Sequence, residues 1–221
     1  MPAEAAEGRL HSRPSMFESP STATKLQRLG LSNRRDGFFY VPSSDASALL
    51  LYLHGATGSG ERAIQRLMGE ADRTRTIVLA PDSRRTTWGF SGAEEAADLA
   101  FVDDALEKMF TGYRIDPKRV GIAGFSDGAS MALSWGLPNG DLFPAIIAFS
   151  PGLVSLPGPP AGKPRIFVSH GRRDDILPVE RCGRKIAQAL KEAGYAVDYR
   201  EFDGEHTVPE FIRRAAFDFL G

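Results

Sequence analysis

The sequence predicts an α/β fold with a mostly parallel central sheet, helices on both faces and no large lid domain. Three observations carry that expectation. Short apolar runs of strand length recur along the chain, segments with apolar residues at helical spacing lie between them, and no insertion long enough for a separate cap interrupts the series. A strand, a helix and a second strand in succession place the two strands parallel. Strands that are apolar throughout need cover on both faces.

The elements follow in order. Residues 1–34, with Pro14, Ser15, Ser19, Pro20, Ser21 and Thr22, show little amphipathic period and read as an N-terminal arm, partly extended or disordered. A single domain is expected over 35–221. Its start is marked by the turn signal Arg35-Asp36-Gly37 ahead of the strand-like Phe38-Phe39-Tyr40-Val41, which suggests an N-terminal strand pair. Residues 48–53 are a continuous apolar run, as a buried strand requires. Residues 61–71 read as helix, 76–80 as a strand stopped by Pro81, and 94–110 as a helix carrying Ala97, Phe101, Leu106 and Phe110. Strand 120–124, helix 128–135 and strand 145–149 come next, then a Pro/Gly-rich loop around 157–164 and strand 165–168. Helix 180–193, strand 197–202 and a last helix over 209–220 complete the alternation.

Composition bounds the function. A chain of 221 residues with 42% hydrophobic and 25% charged residues suits one globular core. A formal net charge of −1 makes no argument for a nucleic acid partner or an anionic membrane surface, and the scattered arginine doublets read as solvated surface. The single cysteine, Cys182, excludes an intrachain disulfide framework and is placed inside the helix expected at 180–193. The longest apolar stretch is too short to span a bilayer, and no basic segment followed by an apolar one opens the chain. A soluble, cytoplasmic protein is the expectation.

The chemistry concentrates at Gly124-Phe125-Ser126-Asp127-Gly128, a G-x-S-x-G pattern between a strand and a helix. There the serine sits on a sharp turn that glycines on either side permit, with its hydroxyl raised above the sheet edge. A serine hydroxyl needs a base to become a nucleophile. Of the four histidines, His11 lies in the arm, and His54 and His170 sit at strand ends before glycine, where backbone hydrogen bonding explains them. His206 lies in the loop between the last strand and the last helix, the place for the base when the chain order is serine, acid, histidine. The acid is expected in the loop after strand 165–168, where Asp174 and Asp175 are adjacent and spacing leaves both open.

These motifs together resemble the phospholipase/carboxylesterase family of α/β-hydrolases, which includes small carboxylesterases and acyl-protein thioesterases. The resemblance is carried by His54-Gly55-Ala56, by the G-x-S-x-G pentapeptide, by His170-Gly171-x-x-Asp174-x-x-Leu177-Pro178 and by Gly204-Glu205-His206, from about Phe38 to the end of the chain. It implies an α/β-hydrolase fold and a serine esterase acting on small-molecule carboxylic esters through an acyl-enzyme. It maps the acid onto Asp174 and the oxyanion-hole N–H donors onto Ala56 and Asp127. The His, Asp and Glu residues show no metal-ligand spacing such as H-x-x-x-H, and neither a metal nor a cofactor is expected. The chain departs from acyl-protein thioesterases in having Asp127 where they have glutamine, and in the loop Ala56-Thr57-Gly58-Ser59-Gly60.

Other readings of these residues are a thioesterase and a non-catalytic binding module on the same fold. The stretch Gly55 to Gly60 has the glycine spacing of a phosphate loop, but Glu61-Arg62 stand where lysine and a hydroxyl residue are needed. Trp88, on the loop after strand 76–80, is expected either to line the substrate pocket or to pack that loop down.

Overall fold

The computed structural model describes residues 8–14 and 23–221. Eight strands form one sheet: β1 (Lys25–Arg28), β2 (Gly37–Val41), β3 (Ala48–Leu53), β4 (Thr76–Pro81), β5 (Val120–Phe125), β6 (Ala145–Phe149), β7 (Arg165–Gly171) and β8 (Val197–Phe202). Their spatial order is β1-β2-β4-β3-β5-β6-β7-β8. The two N-terminal strands pair antiparallel and β2 joins β4 antiparallel; every other pairing is parallel. Helices α1 (Gly60–Thr74), α2 (Gly92–Gly112), α3 (Asp127–Gly136), α4 (Gly183–Glu192) and α5 (Glu210–Leu220) connect and cover the sheet.

The apolar runs split by strand period. In β3, Leu49, Leu51 and Leu53 point to one face, where they join the core beneath α2 and α3 with Phe101, Leu106, Met131 and Trp135. Leu50 and Tyr52 point to the other, meeting Ile64 and Leu67 of α1 and Ile212 and Phe217 of α5. Both faces are therefore dry, which is why the central strands alternate with nothing polar. The far edge strand β8 is half exposed and carries ion pairs instead, Arg200 with Asp198 and Glu201 with Arg172 and Arg184. Charges along an edge oppose pairing with another chain.

Several boundaries differ from the sequence expectation for local reasons. Helix α1 starts at Gly60 because Ser59 caps it, its side chain accepting from the Arg62 N–H, and runs to an Arg75 cap in the left-handed region. Helix α4 begins at Gly183, not at 180, because the Arg181 and Cys182 N–H groups both turn back onto the Pro178 carbonyl. Cys182 is thus the buried cap residue before the helix, and burial pushes its thiol pKa up.

The expected arm contributes more than a tail. Its strand β1 pairs with β2, and the connection between them is held by the buried Asp36 carboxylate, which accepts from the N–H groups of Gly30, Leu31 and Ser32. Further upstream, Leu10 is 1% exposed within the core, its N–H bonded to the Asn139 side chain, and Arg9 and Arg13 pair with Asp141. Residues 1–7 and 15–22 of the arm lie outside the described residues.

Candidate functional site

The loops that follow β3, β4, β5, β7 and β8 all emerge at the carboxyl edge of the parallel strands, where open α/β sheets bind ligands. Ser126 stands between β5 and α3 with φ 57° and ψ −120°, a backbone conformation that L residues rarely adopt. Neighbouring backbone enforces it: the Ser126 N–H donates to the Phe149 carbonyl, and the Ser126 carbonyl accepts from Ala129 and Ser130. Room for this turn depends on the flanking glycines. A Cβ on Gly128 would lie 2.0 Å from the Leu53 carbonyl oxygen, and one on Gly124 2.1 Å from the Gly128 oxygen. Backbone cannot swing aside as a side chain can, so Gly128→Ala is expected to destabilise the fold by about 3 kcal/mol. Urea denaturation would register this as a lower midpoint at unchanged slope.

His206 reaches the serine from the β8–α5 loop. Its Nε2 lies 2.9 Å from Ser126 Oγ and its Nδ1 2.6 Å from Asp174 Oδ2. An ionised carboxylate only accepts, so the proton sits on Nδ1 and Nε2 is left to accept from the serine hydroxyl. Backbone bonds bring the two loops together, the Arg172 N–H donating to the Phe202 carbonyl and the Arg173 N–H to that of Gly204. The Phe125 ring lies against the imidazole, centroids 4.7 Å apart, and restricts its tilt.

The adjacent carboxylates have different surroundings. The Asp174 side chain is fully buried, and its Oδ1 accepts from the Ile176 and Leu177 N–H groups at 3.1 and 2.8 Å while Oδ2 faces His206. Asp175 is exposed and shares none of these contacts. His170 also faces Asp174. Its Nε2 lies 2.6 Å from the Leu177 carbonyl oxygen and 3.2 Å from Asp174 Oδ2, so Nε2 carries the proton. Its Nδ1 has no partner among the described residues. His170 has the backbone bond expected of a strand-end histidine, and it also meets the carboxylate of Asp174 four residues on. The H-G-x-x-D spacing was the available signal.

His54 is held as a neutral imidazole in one tautomer. Nδ1–H donates to the Gly55 carbonyl at 2.7 Å and Nε2 accepts from the Ser83 N–H at 3.1 Å. Asp127 follows the serine in the chain, and Ala56 follows Gly55, on which a Cβ would lie 3.3 Å from Ser126 Cβ. The Asp127 N–H opens α3 and so has no intrahelical acceptor, and no acceptor meets the Ala56 N–H among the described residues. The Asp127 carboxylate accepts from the Thr87 hydroxyl at 2.6 Å, a contact between the β4–α2 loop and the first turn of α3 that the sequence did not announce.

Trp88 does not line a pocket at the carboxyl edge of the sheet. It is 2% exposed, donates from Nε1 to the His54 carbonyl at 2.8 Å and packs against the rings of His54 and Trp135. Of the two expectations for this residue, the pocket-lining one is corrected: the indole is drawn down by its bond to the His54 carbonyl and by the aromatic surface below.

Burial lowers the pKa of both His54 and His170 from 6.5, because the cation is disfavoured away from water. Their folded values lie below the unfolded one, so below pH 6.5 the unfolded chain binds protons that the folded chain does not. Stability is therefore expected to fall as pH drops through that window, by at most about 1.4 kcal/mol per unit for each imidazole. The carboxylates of Glu201 and Asp141, held at about 2 by Arg184 and Arg9, stay ionised there and do not contribute. Burial raises the pKa of the Glu95 and Asp98 carboxylates, which acts in the opposite direction at more acid pH. Denaturant titrations at about pH 7.5 and about pH 6 therefore isolate the imidazoles, and equal stabilities there would contradict the expectation.

Among the described residues no group of three or more His, Cys, Asp or Glu can hold a metal ion, and no helix is long and apolar enough to cross a membrane.

An eight-stranded, mostly parallel sheet with a serine on a strained strand-to-helix turn defines an α/β-hydrolase. The chain belongs to the phospholipase/carboxylesterase family, whose model matches residues 79–220. It is similar to a poly(3-hydroxybutyrate) depolymerase of Ralstonia pickettii, 30% identical over an alignment of 151 positions that covers 57% of this chain and 29% of that protein. It is also similar to a bifunctional acetylxylan esterase/xylanase of Neocallimastix patriciarum, 32% identical over an alignment of 152 positions that covers 65% of this chain and 22% of the relative. The chain thus spans less than a third of the length of either. Among solved structures, that of esterase PE8 superposes with a TM-score of 0.70 at 25% identity, covering 83% of this chain and 96% of the other.

Proposed function

We propose that this protein is a serine esterase that cleaves small carboxylic esters, with Ser126 as nucleophile, His206 as general base and Asp174 as the acid that orients it. The observation that carries the reading is the unbroken hydrogen-bonded line from Ser126 Oγ through both nitrogens of His206 to Asp174 Oδ2. Family membership and the esterase relatives support the same chemistry.

In the proposed cycle Ser126 Oγ attacks the ester carbonyl carbon while its proton passes to His206 Nε2. The carbonyl oxygen becomes an oxyanion, received by the N–H groups of Ala56 and Asp127. Two preorganised donors in that position stabilise the developing charge by a few kcal/mol each. Collapse of the tetrahedral intermediate breaks the bond to the alcohol oxygen, which leaves with the proton from His206. Water then attacks the acyl-serine, giving its proton to His206 and releasing the acid; the proton returns to Oγ. Throughout, Asp174 stays ionised and stabilises the imidazolium. His170 is a positioning residue in this reading, donating to the Leu177 carbonyl of the loop that carries the acid.

A fluorophosphonate probe and a series of 4-nitrophenyl esters of increasing chain length test the reading. Stoichiometric labelling of Ser126 together with turnover of short esters is the expected result. A folded protein that neither labels nor turns over any ester is a binding module instead.

A further inference from the structure

Beside the Ser126–His206 pair a cavity of about 530 Å³ opens between the β3–α1 loop, one side of α1 and the β8–α5 loop. His206, Phe125 and Ala56 form part of its wall, so it adjoins the imidazole that is bonded to Ser126. The same wall carries three arginines, Arg62, Arg66 and Arg213, and no aspartate or glutamate.

Arg62 and Arg66 are four residues apart on α1 and so extend from the same side of the helix. Neither has an ion-pair partner among the described residues, whereas Arg73 and Arg75 at the far end of α1 are paired with Glu70, Asp218 and Asp45. Arg213 reaches in from α5. It too has no carboxylate partner among the described residues, and it is steadied by donating to the Val208 carbonyl at 2.7 Å. Arg66 and Arg213 both lie close enough to act electrostatically on the buried Tyr52 hydroxyl, another part of the wall. Three like charges turned into one cavity without a counterion repel one another, and a chain of net charge −1 has carboxylates to spare for pairing. An uncompensated cationic wall next to a nucleophile is what an anionic substrate would complete, because guanidinium groups match carboxylate and phosphate oxygens.

We propose that this cavity binds an oxyanion group, carboxylate or phosphate, carried by the ester substrate several bonds from the scissile carbonyl. The preferred substrates are then anionic esters. The substrate half of this inference rests on the esterase reading above; the anion site rests on the three arginines.

The test compares matched esters: 4-nitrophenyl hexanoate with its ω-carboxylate and ω-phosphonate analogues for the acyl side, and phenyl butyrate with 4-carboxyphenyl butyrate for the alcohol side. At low salt the charged member of at least one pair is expected to have the higher kcat/KM by roughly tenfold, expressed in KM, since exposed ion pairs are individually weak and three act together. That preference should shrink from about 0.01 M to about 1 M salt as the Debye length contracts from about 30 Å to about 3 Å. In Arg62→Gln/Arg66→Gln, and separately in Arg213→Gln, the charged-to-neutral ratio falls; in Arg75→Gln, remote from the cavity, it stays. The size of the carboxylate and phosphonate preferences identifies which oxyanion is favoured. No preference for any charged ester in the wild-type protein, or a ratio unmoved by all the cavity variants, overturns the proposal. If no ester is hydrolysed, the esterase reading fails and the anion site is judged by calorimetry with monomethyl adipate. Binding that the double variant loses upholds it, and no binding overturns it.

Discussion

Replacing Ser126 by alanine is expected to lower kcat for ester hydrolysis by about 10⁵ to 10⁶-fold while leaving the melting temperature within a few degrees of the parent. The size follows from how a triad works: without Oγ there is no acyl-enzyme, and neither His206 nor the flanking amides can replace that step. The intact fold follows from the surroundings. Among the described residues the hydroxyl bonds His206 alone, whereas the turn itself is held by the Ser126 N–H and carbonyl, which alanine retains. Alanine also has the same Cβ at φ 57°, so no new strain arises. Stopped assays with active-site titration separate true residual turnover from trace parent enzyme. A folded Ser126→Ala protein with near-normal kcat would sink the assignment.

The second large effect separates neighbours in sequence. Asp174→Asn is expected to reduce kcat by about 10⁴-fold, and Asp175→Asn by no more than about twofold. An asparagine at 174 keeps its carbonyl oxygen where the Ile176 and Leu177 N–H groups donate, which turns its NH₂ toward His206 Nδ1. The imidazole then accepts at Nδ1 and carries its proton on Nε2, the wrong tautomer to take one from Ser126. The same NH₂ would also face the Nε2–H of His170, donor against donor, so a loss of stability accompanies the loss of rate. Asp175 is exposed and forms none of these bonds. Both variants measured under one condition, with thermal melts, decide the matter. A larger kcat loss at 175 than at 174, with both proteins folded, would move the role.

The fold class was legible because its signals are local. Apolar runs such as 48–53 and 145–149 are too short for helices and too continuous for a half-solvated strand, so each had to be a buried strand between helices. Boundaries were less legible where a backbone bond outside the element decides them. Nothing in the residues 180–182 announces that the Pro178 carbonyl captures two N–H groups and delays α4. Strand β1, KLQR, has no strand-like composition and exists because β2 offers it an edge and Asp36 ties the connection.

By itself the sequence determined the α/β-hydrolase fold and the serine turn, since glycine positions and apolar period act through sterics and burial at each residue. It also named Ser126 and His206 as candidates, because chain order and loop position suffice for them. Only the tertiary structure distinguished the environments of Asp174 and Asp175, buried Trp88 beneath its loop, and brought His170 within reach of Asp174. The three arginines of the cavity likewise come from two helices that are far apart in the chain, and read singly they are ordinary surface charges. Side-chain direction and the convergence of distant loops depend on packing between elements, and that information resides in no local stretch of residues.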